Sequence, residues 1–278
     1  MQDTITYIKE ELNAYYPESE ISGFIRIIIE HITKKSYPQT LLERPQITDG
    51  QKETVSLIVE RLKTYEPIQY ILEDTEFFGL PFYVNKNVLI PRPETEELVE
   101  LILSENSETG LNILDIGTGS GAIAIALAKH LKNARVNAWD ISHKALDIAV
   151  LNSKKNTVDI SFKLVDVLKD YPQSEKFDII VSNPPYVMES EKAVMEENVL
   201  AFEPHLALFV PDNKALLFYE RIADVALEIL NKNGKLYFEI NQAKGDETVK
   251  MLQDKGFSDV ELFQDLSKKD RMIRAVLK

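Results

Sequence analysis

The second half of the chain alternates between strand-like and helix-like segments, and this alternation restricts the possible folds more than any other feature. From Leu111 onward, five apolar runs are typical of strands: LNILDI, RVNAWD, SFKLV, FDIIVS and KLYFEI. Three segments between them have helical periodicity: GAIAIALAKHL, SHKALDIAVLNSKKN and KALLFYERIADVALEIL. The last two runs, FSDVELF and RMIRAVL, have no helix between them. We therefore predict an α/β fold with a doubly wound, mostly parallel, seven-stranded sheet and an antiparallel C-terminal edge.

The residues before this region have a different pattern, which predicts a separate N-terminal domain. In ITDGQKETVSLIVERLKTYEP the apolar residues from Val55 to Leu62 recur at helical spacing, and Thr48 with Gln51 predicts a capping box. ESEISGFIRIIIEHITKK predicts a second helix, and no glycine-rich phosphate loop occurs here. We predict that residues 1–72 form a small helical-bundle domain that docks a substrate.

The stretch TEFFGLPFYVNKNVLIPRPETEELVELIL lies between these two regions and changes period. Aromatic and β-branched residues flank Gly79 and Pro81, which predicts a short hairpin. A helix is predicted to begin at about Pro93. The predicted parts are therefore the N-terminal domain at residues 1–72, a β-hairpin linker at residues 73–92 and a C-terminal domain at residues 93–278.

Composition and charge argue against several classes of function. The chain of 278 residues carries 45 acidic and 32 basic side chains, so its net charge of -13 opposes binding to a polyphosphate backbone. Without cysteine it has no disulfide or cysteine nucleophile, and its four histidines form no metal-spaced pair. The start lacks the features of a signal peptide, and no apolar stretch approaches the roughly 20 residues that cross a bilayer. We expect a soluble, cytoplasmic protein without a direct nucleic-acid partner, a membrane association or a metal ion.

A glycine-rich loop follows the first predicted strand of the sheet, in ILDIGTGSGAIAIALA. Glycines permit a tight turn and a close ligand approach, and the next helix offers unpaired N–H groups to an anion. Gly117, Gly119 and Ala122 also satisfy a loose dinucleotide fingerprint, so the loop by itself fits NAD as well as other adenosine cofactors. The candidate cofactor-binding residues of this loop are Gly117, Thr118, Gly119, Ser120 and Gly121.

Three aspartates near strand ends narrow the choice of cofactor. Asp140 ends the second strand, 23 residues after Gly117, where it could accept hydrogen bonds from both ribose hydroxyls or act only as a turn acceptor. Asp166 could accept a hydrogen bond from an adenine amino group while Val167 or Leu168 packs on the ring, or it could be a solvated turn residue. Asp115 suits a cofactor with a positive centre better than a pyrophosphate. We therefore predict S-adenosyl-L-methionine, which carries a sulfonium and an ammonium group.

The segment FDIIVSNPPY ends the fourth strand with Asn183, Pro184, Pro185 and Tyr186. An isolated Asn-Pro pair is a common turn former, but in a doubly wound sheet this one would lie beside the glycine loop. The prolines lack N–H donors and fix φ, which leaves carbonyl acceptors. Asn183 Oδ1 and the Pro184 carbonyl could accept both hydrogens of one planar amino group while Tyr186 stacks on it. We predict methyl transfer to nitrogen, with Asn183, Pro184 and Tyr186 as catalytic residues, because two such acceptors make the nitrogen more nucleophilic and orient it.

These motifs resemble the PrmC/HemK family, the protein-(glutamine-N5) methyltransferases of peptide chain release factors. The resemblance extends over nearly the whole chain, through a helical N-terminal segment and EPIQYILEDTEFFGLPFYV, LIPRPETEELVE, ILDIGTGSGAIAIALA, AWDIS, VSNPPYV and FEPHLALF. NPPY alone is shared with adenine and guanine amino methyltransferases. PRPETE upstream of the glycine loop, joined to a helical domain of this size, is much more specific.

The resemblance implies an S-adenosylmethionine-dependent methyltransferase fold and assigns roles to individual residues. Residues 117–121, Asp140 and Asn183 would bind the cofactor. Residues 183–186 would bind the substrate, which is the amide of the glutamine in the release factor's Gly-Gly-Gln motif. Residues 92–96 would line the methionine end of the cofactor or brace the glycine loop. The N-terminal domain and the hairpin would help to dock the release factor.

The sequence leaves three rival functions open. N6-adenine or N2-guanine methylation of nucleic acid uses the same acceptor geometry, but the net acidity and the lack of a basic stretch with interleaved aromatics disfavour it. A non-catalytic binder would need neither Asp140 nor Asn183, and an NAD-dependent dehydrogenase would have no use for NPPY. Some family members place a tryptophan after the aspartate that corresponds to Asp166, whereas in this chain Val167 and Leu168 follow it. We expect a monomer.

Overall fold

The structure, a computed structural model, describes all 278 residues and contains eleven α-helices and eleven β-strands. The helices are α1 (Gln2–Leu12), α2 (Glu18–Thr33), α3 (Tyr37–Glu43), α4 (Asp49–Leu62), α5 (Ile68–Leu72), α6 (Pro93–Glu105), α7 (Ala122–His130), α8 (His143–Lys155), α9 (Glu197–Phe202), α10 (Leu217–Ile229) and α11 (Gly245–Asp254). The strands are β1 (Thr75–Phe77), β2 (Leu80–Phe82), β3 (Asn112–Ile116), β4 (Arg135–Asp140), β5 (Ile160–Leu164), β6 (Phe177–Ser182), β7 (Val187–Met188), β8 (Phe209–Val210), β9 (Leu230–Glu239), β10 (Ser258–Gln264) and β11 (Asp270–Val276). None of the helices has the length and apolar character needed to cross a membrane.

Helices α1 to α5 belong to the first of two compact units, which contains Met1–Leu72 and the later segment Glu196–Phe202. The predicted capping box of α4 is confirmed. The Thr48 Oγ1 accepts the Gln51 N–H at 3.3 Å, and the Gln51 side chain accepts the Thr48 N–H at 2.9 Å. Apolar side chains from α1, α2 and α4 form the core of this unit: Ile8, Leu12, Ile28, Ile29, Val59 and Leu62. The predicted helical character of the N-terminal region is therefore confirmed.

The second unit, Glu73–Met195 and Glu203–Lys278, is built on a seven-stranded sheet with the strand order β10-β11-β9-β6-β3-β4-β5. Strands β9, β6, β3, β4 and β5 are parallel, while β11 pairs antiparallel with both β9 and β10. This confirms the predicted doubly wound sheet and its antiparallel C-terminal edge. Strand order reverses at β3, whose neighbours are β4 and β6, and such a switch point is where open α/β sheets bind ligands.

Alternating side chains of the strands form a core on each face of the sheet. In β3, Leu114 belongs to one buried cluster and Ile113 to the other, because successive strand residues face opposite sides. Helices α10 and α11 contribute to the first cluster, for example through Ile222. Helices α6 and α7 contribute to the second, for example through Leu98. This packing fixes the first turns of α6 and α7, and α6 begins at Pro93 as predicted.

The predicted hairpin is present as the antiparallel pair β1 and β2. Its two-residue turn consists of Phe78 and Gly79, both with positive φ (51° and 70°), as the tightest hairpin turns require. Phe77 and Phe82 are buried in the core of the second unit. The division at residues 72 and 92 into parts with separate functions stays a prediction.

Candidate active site

Five neighbouring parallel strands end at one edge of the sheet, and four of them, β6, β3, β4 and β5, carry the predicted site residues there. In spatial order, Glu239 ends β9, Asn183 follows β6, the glycine loop follows β3, and Asp140 ends β4. Asp166 comes two residues after the last residue of β5. The Ser182 hydroxyl donates to the Ile116 carbonyl at 2.6 Å, which ties the end of β6 to the end of β3. The glycine loop and the Asn-Pro-Pro-Tyr segment are thus adjacent, as the sequence predicted.

The glycine loop has a backbone that only glycine adopts easily at three positions. Gly117, Gly119 and Gly121 have φ values of 77°, 55° and 82°. A Cβ atom at Gly117 or Gly119 would meet nothing within 4 Å, whereas one at Gly121 would lie 3.0 Å from Ile125 Cδ1 and 3.2 Å from Ala149 Cβ. The first two glycines therefore leave space for a ligand beside the backbone. The third allows α7 to pack closely against α8.

Asp115 is a fully buried carboxyl group directly before this loop. Its Oδ2 accepts the Thr118 hydroxyl at 2.6 Å, while its Oδ1 is buried without a hydrogen-bond partner. Burial raises the pKa of Asp115 to about 7, and the nearby Asp140 adds to this effect, while the Thr118 bond opposes it. A positive charge bound nearby would offset the cost of the buried carboxylate. This is the feature that fits S-adenosylmethionine, and it fits the pyrophosphate of NAD poorly.

Asp140 holds the turn between β4 and α8. Its Oδ2 accepts the Gly119 N–H at 2.9 Å and its Oδ1 accepts the Ser142 N–H at 2.8 Å. Burial raises the pKa of Asp140, and these backbone bonds oppose the shift. Ser142 caps α8 by accepting the Ala145 N–H at 3.2 Å. Each Asp140 oxygen has a further lone pair that could accept a ribose hydroxyl, and that role stays a prediction.

The contacts of Asp166 are those of a turn residue. Its Oδ1 accepts the Leu168 N–H at 3.1 Å, and its Oδ2 lies 3.0 Å from Lys169 Nζ. Val167 is buried, and its carbonyl accepts a hydrogen bond from Arg221 Nε at 2.7 Å. The contact of Asp166 and Val167 with adenine stays a prediction.

The Asn-Pro-Pro-Tyr segment is fixed by hydrogen bonds from three sides. Asn183 Nδ2 donates to Thr95 Oγ1 at 3.2 Å, and the Tyr186 hydroxyl donates to Glu239 Oε1 at 3.1 Å. The Tyr186 carbonyl accepts from Asn241 Nδ2 at 3.2 Å. Burial is the main cause that raises the pKa of Tyr186, with the Glu239 charge second, so its hydroxyl keeps its proton. The segment is a rigid corner rather than a loose turn.

Thr95 and Glu239 are site residues that the sequence did not single out. Glu239 is 2 % exposed, and its Oε2 accepts the Thr95 hydroxyl at 2.6 Å. Burial raises the pKa of Glu239, while the bonds from Thr95 and Tyr186 oppose the shift. The available signal was an acidic residue at the end of KLYFEI, because an acidic group at the carboxyl end of a parallel strand faces the ligand edge.

The rest of PRPETE anchors neighbouring segments. Arg92 forms an ion pair with Glu203, which is 2 % exposed. Glu96 Oε1 accepts the Phe78 N–H of the hairpin turn at 2.8 Å. The hydrogen bonds of residues 92–96 thus connect the hairpin, the segment around Glu203 and the Asn183 corner. Their predicted approach to the methionine end of the cofactor stays a prediction.

Two protein families and several named relatives match this chain. The methyltransferase small domain family matches residues 94–206, and the PrmC N-terminal domain family matches residues 3–72. A release factor glutamine methyltransferase from Flavobacterium psychrophilum is 51 % identical over 97 % of this chain and 96 % of that protein. One from Bacteroides thetaiotaomicron is 45 % identical over 99 % of both chains. This chain belongs to the release factor glutamine methyltransferase family.

Solved structures place the fold of this release factor glutamine methyltransferase family member among methyltransferases. A crystal structure of a methyltransferase from Pyrococcus furiosus aligns with a TM-score of 0.54 at 19 % identity, over 72 % of this chain and 89 % of that one. The 16S rRNA N2 G1207 methyltransferase of T. thermophilus, solved with AdoMet and guanosine, aligns with a TM-score of 0.53 at 16 % identity, over 74 % of this chain and 50 % of that one. At these identities the likeness concerns the fold alone.

Proposed function

We propose that this protein transfers a methyl group from S-adenosyl-L-methionine to the side-chain amide nitrogen, N5, of the glutamine in the Gly-Gly-Gln motif of peptide chain release factors. The observation that carries the proposal is the Asn183 corner. It lies beside the glycine loop, and the Asn183 Nδ2 is already bound to Thr95, so that its Oδ1 is available as an acceptor. Relatives named for this activity at 51 % and 45 % identity support the choice of substrate.

The cofactor would be held by residues at the ends of β3, β4, β5 and β6. Asp115 would supply negative charge near the positive centre, and Asp140 would accept the ribose hydroxyls. When bound, S-adenosylmethionine supplies an electrophilic methyl group. The residues that would hold it are Asp115, Gly117, Thr118, Gly119, Ser120, Gly121, Asp140, Asp166, Val167 and Asn183.

The substrate amide would be held by the residues that follow β6. Asn183 Oδ1 and the Pro184 carbonyl would each accept one hydrogen of the glutamine side chain, while Pro185 keeps the corner rigid. The Tyr186 ring would cover the plane of the amide. Both acceptors stabilise the partial positive charge that develops on the nitrogen as it takes the methyl group from the sulfonium sulfur, which would keep the electron pair of the broken bond. The proton that the methylated nitrogen then loses would pass to solvent water. No strong base is required.

The direct test uses purified release factor with labelled cofactor, followed by mass spectrometry of the Gly-Gly-Gln peptide. We expect the mass of one added methyl group on the glutamine, and no label in a release factor whose motif glutamine is replaced by alanine. Total RNA and DNA serve as parallel substrates. Label that enters only nucleic acid would contradict the proposal and favour N6-adenine or N2-guanine methylation.

A variant of the corner separates catalysis from a purely binding role. In Asn183→Ala we expect only a small loss of cofactor affinity in a titration, because the other nine proposed cofactor residues remain, but a loss of turnover of about 100-fold or more, as for other preorganised transition-state contacts. Unchanged turnover would refute the role of Asn183.

We also propose that residues 1–72 help to dock the release factor, and that the protein acts as a monomer in the cytoplasm, where translation takes place. The match of residues 3–72 to the PrmC N-terminal domain family supports the docking role. The net charge of -13 is consistent with a partner that is a protein rather than a nucleic acid. Crosslinking of the complex with release factor, read by mass spectrometry, would test whether this region contacts the partner.

A further inference from the structure

Glu239 is a buried carboxylate whose two oxygens are bound by hydroxyl groups from different parts of the chain. Oε2 accepts the Thr95 hydroxyl at 2.6 Å, and Oε1 accepts the Tyr186 hydroxyl at 3.1 Å. Residue 239 is 2 % exposed, so water does not replace these partners. A buried charge is tolerated only when its acceptors are satisfied, and here both partners belong to the site.

The Glu239 carboxylate determines the direction of the next hydrogen bond. As a carboxylate it can only accept, and a threonine hydroxyl has a single proton to donate. The Thr95 hydroxyl therefore donates its only proton to Glu239, and the Thr95 oxygen can only accept a further hydrogen bond. The group that faces it, 3.2 Å away, is Asn183 Nδ2, which donates.

The directions of these two hydrogen bonds fix the orientation of the Asn183 amide. An asparagine side chain is planar, with its nitrogen and oxygen on opposite branches, and the two orientations have nearly the same shape. Turning Nδ2 towards Thr95 turns Oδ1 away from it. In the reversed orientation Nδ2 would face the substrate, where an –NH2 group would oppose another –NH2 group.

The local sequence explains why these partners meet. Thr95 is the third residue of α6, and α6 packs on the sheet through Leu98. Strand β9 is the parallel neighbour of β6, and Ser182 pairs with Phe238, so Glu239 and Asn183 follow paired residues on adjacent strands. The first turn of α6 is therefore held directly over the ends of β6 and β9.

We propose that Thr95 and Glu239 are positioning residues that hold the Asn183 amide with Oδ1 as the acceptor for the substrate nitrogen and that fix the Tyr186 ring through its hydroxyl. The proposal rests on the proposed function, because the substrate amide is the group that Oδ1 would meet. It also gives PRPETE a role that differs from the predicted contact with the cofactor. Neither residue is expected to touch the reacting atoms.

The test compares Thr95→Val, which removes the hydroxyl at nearly constant shape, with Thr95→Ser, which keeps it. Nitrogen-15 NMR would follow the Asn183 side-chain amide, assigned by its loss in Asn183→Ala. In Thr95→Val we expect hydrogen exchange of this amide to accelerate about tenfold and kcat to fall about tenfold, the size of one lost hydrogen bond. Cofactor affinity should stay within about twofold, and Thr95→Ser should restore both readouts.

Thr248→Val is the matched control. Thr248 in α11 is fully buried, and its hydroxyl donates to the Lys244 carbonyl at 2.7 Å. The Thr248→Val variant loses a comparable hydrogen bond. We therefore expect it to be less stable, with an unchanged kcat and unchanged hydrogen exchange of the Asn183 side-chain amide. An equal loss of kcat in Thr95→Val and Thr248→Val would overturn the proposal, because it would show a general effect of destabilisation.

A measurement on the unmodified chain covers the case in which Thr95→Val does not fold. A nuclear Overhauser effect between the Asn183 side-chain amide protons and the Thr95 methyl group is expected, and its absence would refute the proposed orientation. The NMR readouts do not depend on release factor. If the wild-type protein left the release factor glutamine unmethylated while the exchange rates followed the expected order, the proposed function would fail and the orientation of Asn183 would stand.

Discussion

At the scale of single residues, Asp115 carries an electrostatic cost, because its carboxyl group is fully buried. The folded chain raises its pKa to about 7 from the ordinary value of 3.8, chiefly by burial. Between these two pH values the folded protein holds a proton that the unfolded chain has lost. The free energy of unfolding therefore falls as the pH rises through this window, and above pH 7 the full penalty of the buried charge remains.

We predict that Asp115→Asn is more stable than the wild type at pH 8 and that this advantage shrinks towards pH 4. Removing the buried charge should stabilise the folded protein by a few kcal/mol. About 1–3 kcal/mol of this gain should be lost, because the new Nδ2 group lacks a hydrogen-bond acceptor. Thermal unfolding of both proteins from pH 4 to pH 8 measures the difference. A difference that does not change with pH would contradict the assignment of the raised pKa to Asp115.

The affinity for the cofactor should have the opposite pH dependence and should rise as the pH rises. A cation bound near Asp115 favours its charged form, so binding releases a proton wherever the free protein holds one. We predict that the dissociation constant of S-adenosylmethionine falls by up to about tenfold from pH 6 to pH 7 and then levels off. Isothermal titration in buffers of different pH would measure this slope. Asp115→Asn should bind more weakly and should lack the slope, and a slope retained in this variant would assign the proton to another group such as Asp140.

At the scale of elements, the three glycines of the loop divide two tasks between them. Gly117 and Gly119 face open space, while Gly121 faces Ile125 in α7 and Ala149 in α8. Asn152 of α8 adds a further connection, because its Nδ2 donates to both the Ser120 carbonyl and the Tyr83 carbonyl at 2.9 Å. The loop is thus held by the helix that follows it and by the next helix in the chain.

We predict that Gly121→Ala is more destabilising than Gly117→Ala. Both alanines are strained by about 1–2 kcal/mol because their φ values are positive, but only the Cβ at residue 121 also meets side chains at 3.0 and 3.2 Å. The overpacking should cost about 1–3 kcal/mol more. Urea denaturation measures both losses, and cofactor titration should show the larger loss of affinity for Gly117→Ala among the folded variants. Equal stabilities of the two variants would contradict the packing role of Gly121.

The elements that the sequence predicted correctly are those whose pattern is local. Strand and helix periods lie within about ten consecutive residues, so the sheet strands, α6, the hairpin and the capping box could be found without tertiary information. Strands β7 and β8 and helix α9 are short and have no such pattern, because their formation depends on the rest of the fold. The contact between Thr95 and Glu239 joins residues 144 positions apart. A single sequence gives the residue types of such a contact but not the pairing.

At the scale of the whole molecule, charge separates two functions that share one local geometry. An Asn-Pro-Pro-Tyr corner can hold the amino group of a nucleobase or of a glutamine. The net charge of -13 opposes the approach of a polyphosphate chain, while a protein substrate pays no such general penalty. The PrmC N-terminal domain family matches residues 3–72, which lie outside the unit that carries the Asn183 corner. If residues 1–72 dock the release factor as proposed, substrate choice depends on parts of the chain that do not take part in methyl transfer.

Each of the two units has its own buried core, and this predicts separable stabilities. Leu62 is fully buried in the core of the first unit, and Leu236 is fully buried in the core of the second. Truncating either to alanine should cost about 2–5 kcal/mol, mainly in the unit that contains it. The proposed cofactor residues all belong to the second unit, so S-adenosylmethionine at 100 times its dissociation constant should stabilise that unit by about 2.7 kcal/mol.

Hydrogen exchange read by mass spectrometry would measure these effects segment by segment. We expect Leu62→Ala to accelerate exchange in α1, α2 and α4, and the cofactor to slow exchange in β3, β4, β6 and α7 without restoring the first unit. Leu236→Ala is the matched control, and the cofactor should partly compensate its effect. If Leu62→Ala lowered protection equally in both units, or if the cofactor protected both equally, the chain would unfold as one cooperative body and the separate cores would not act independently.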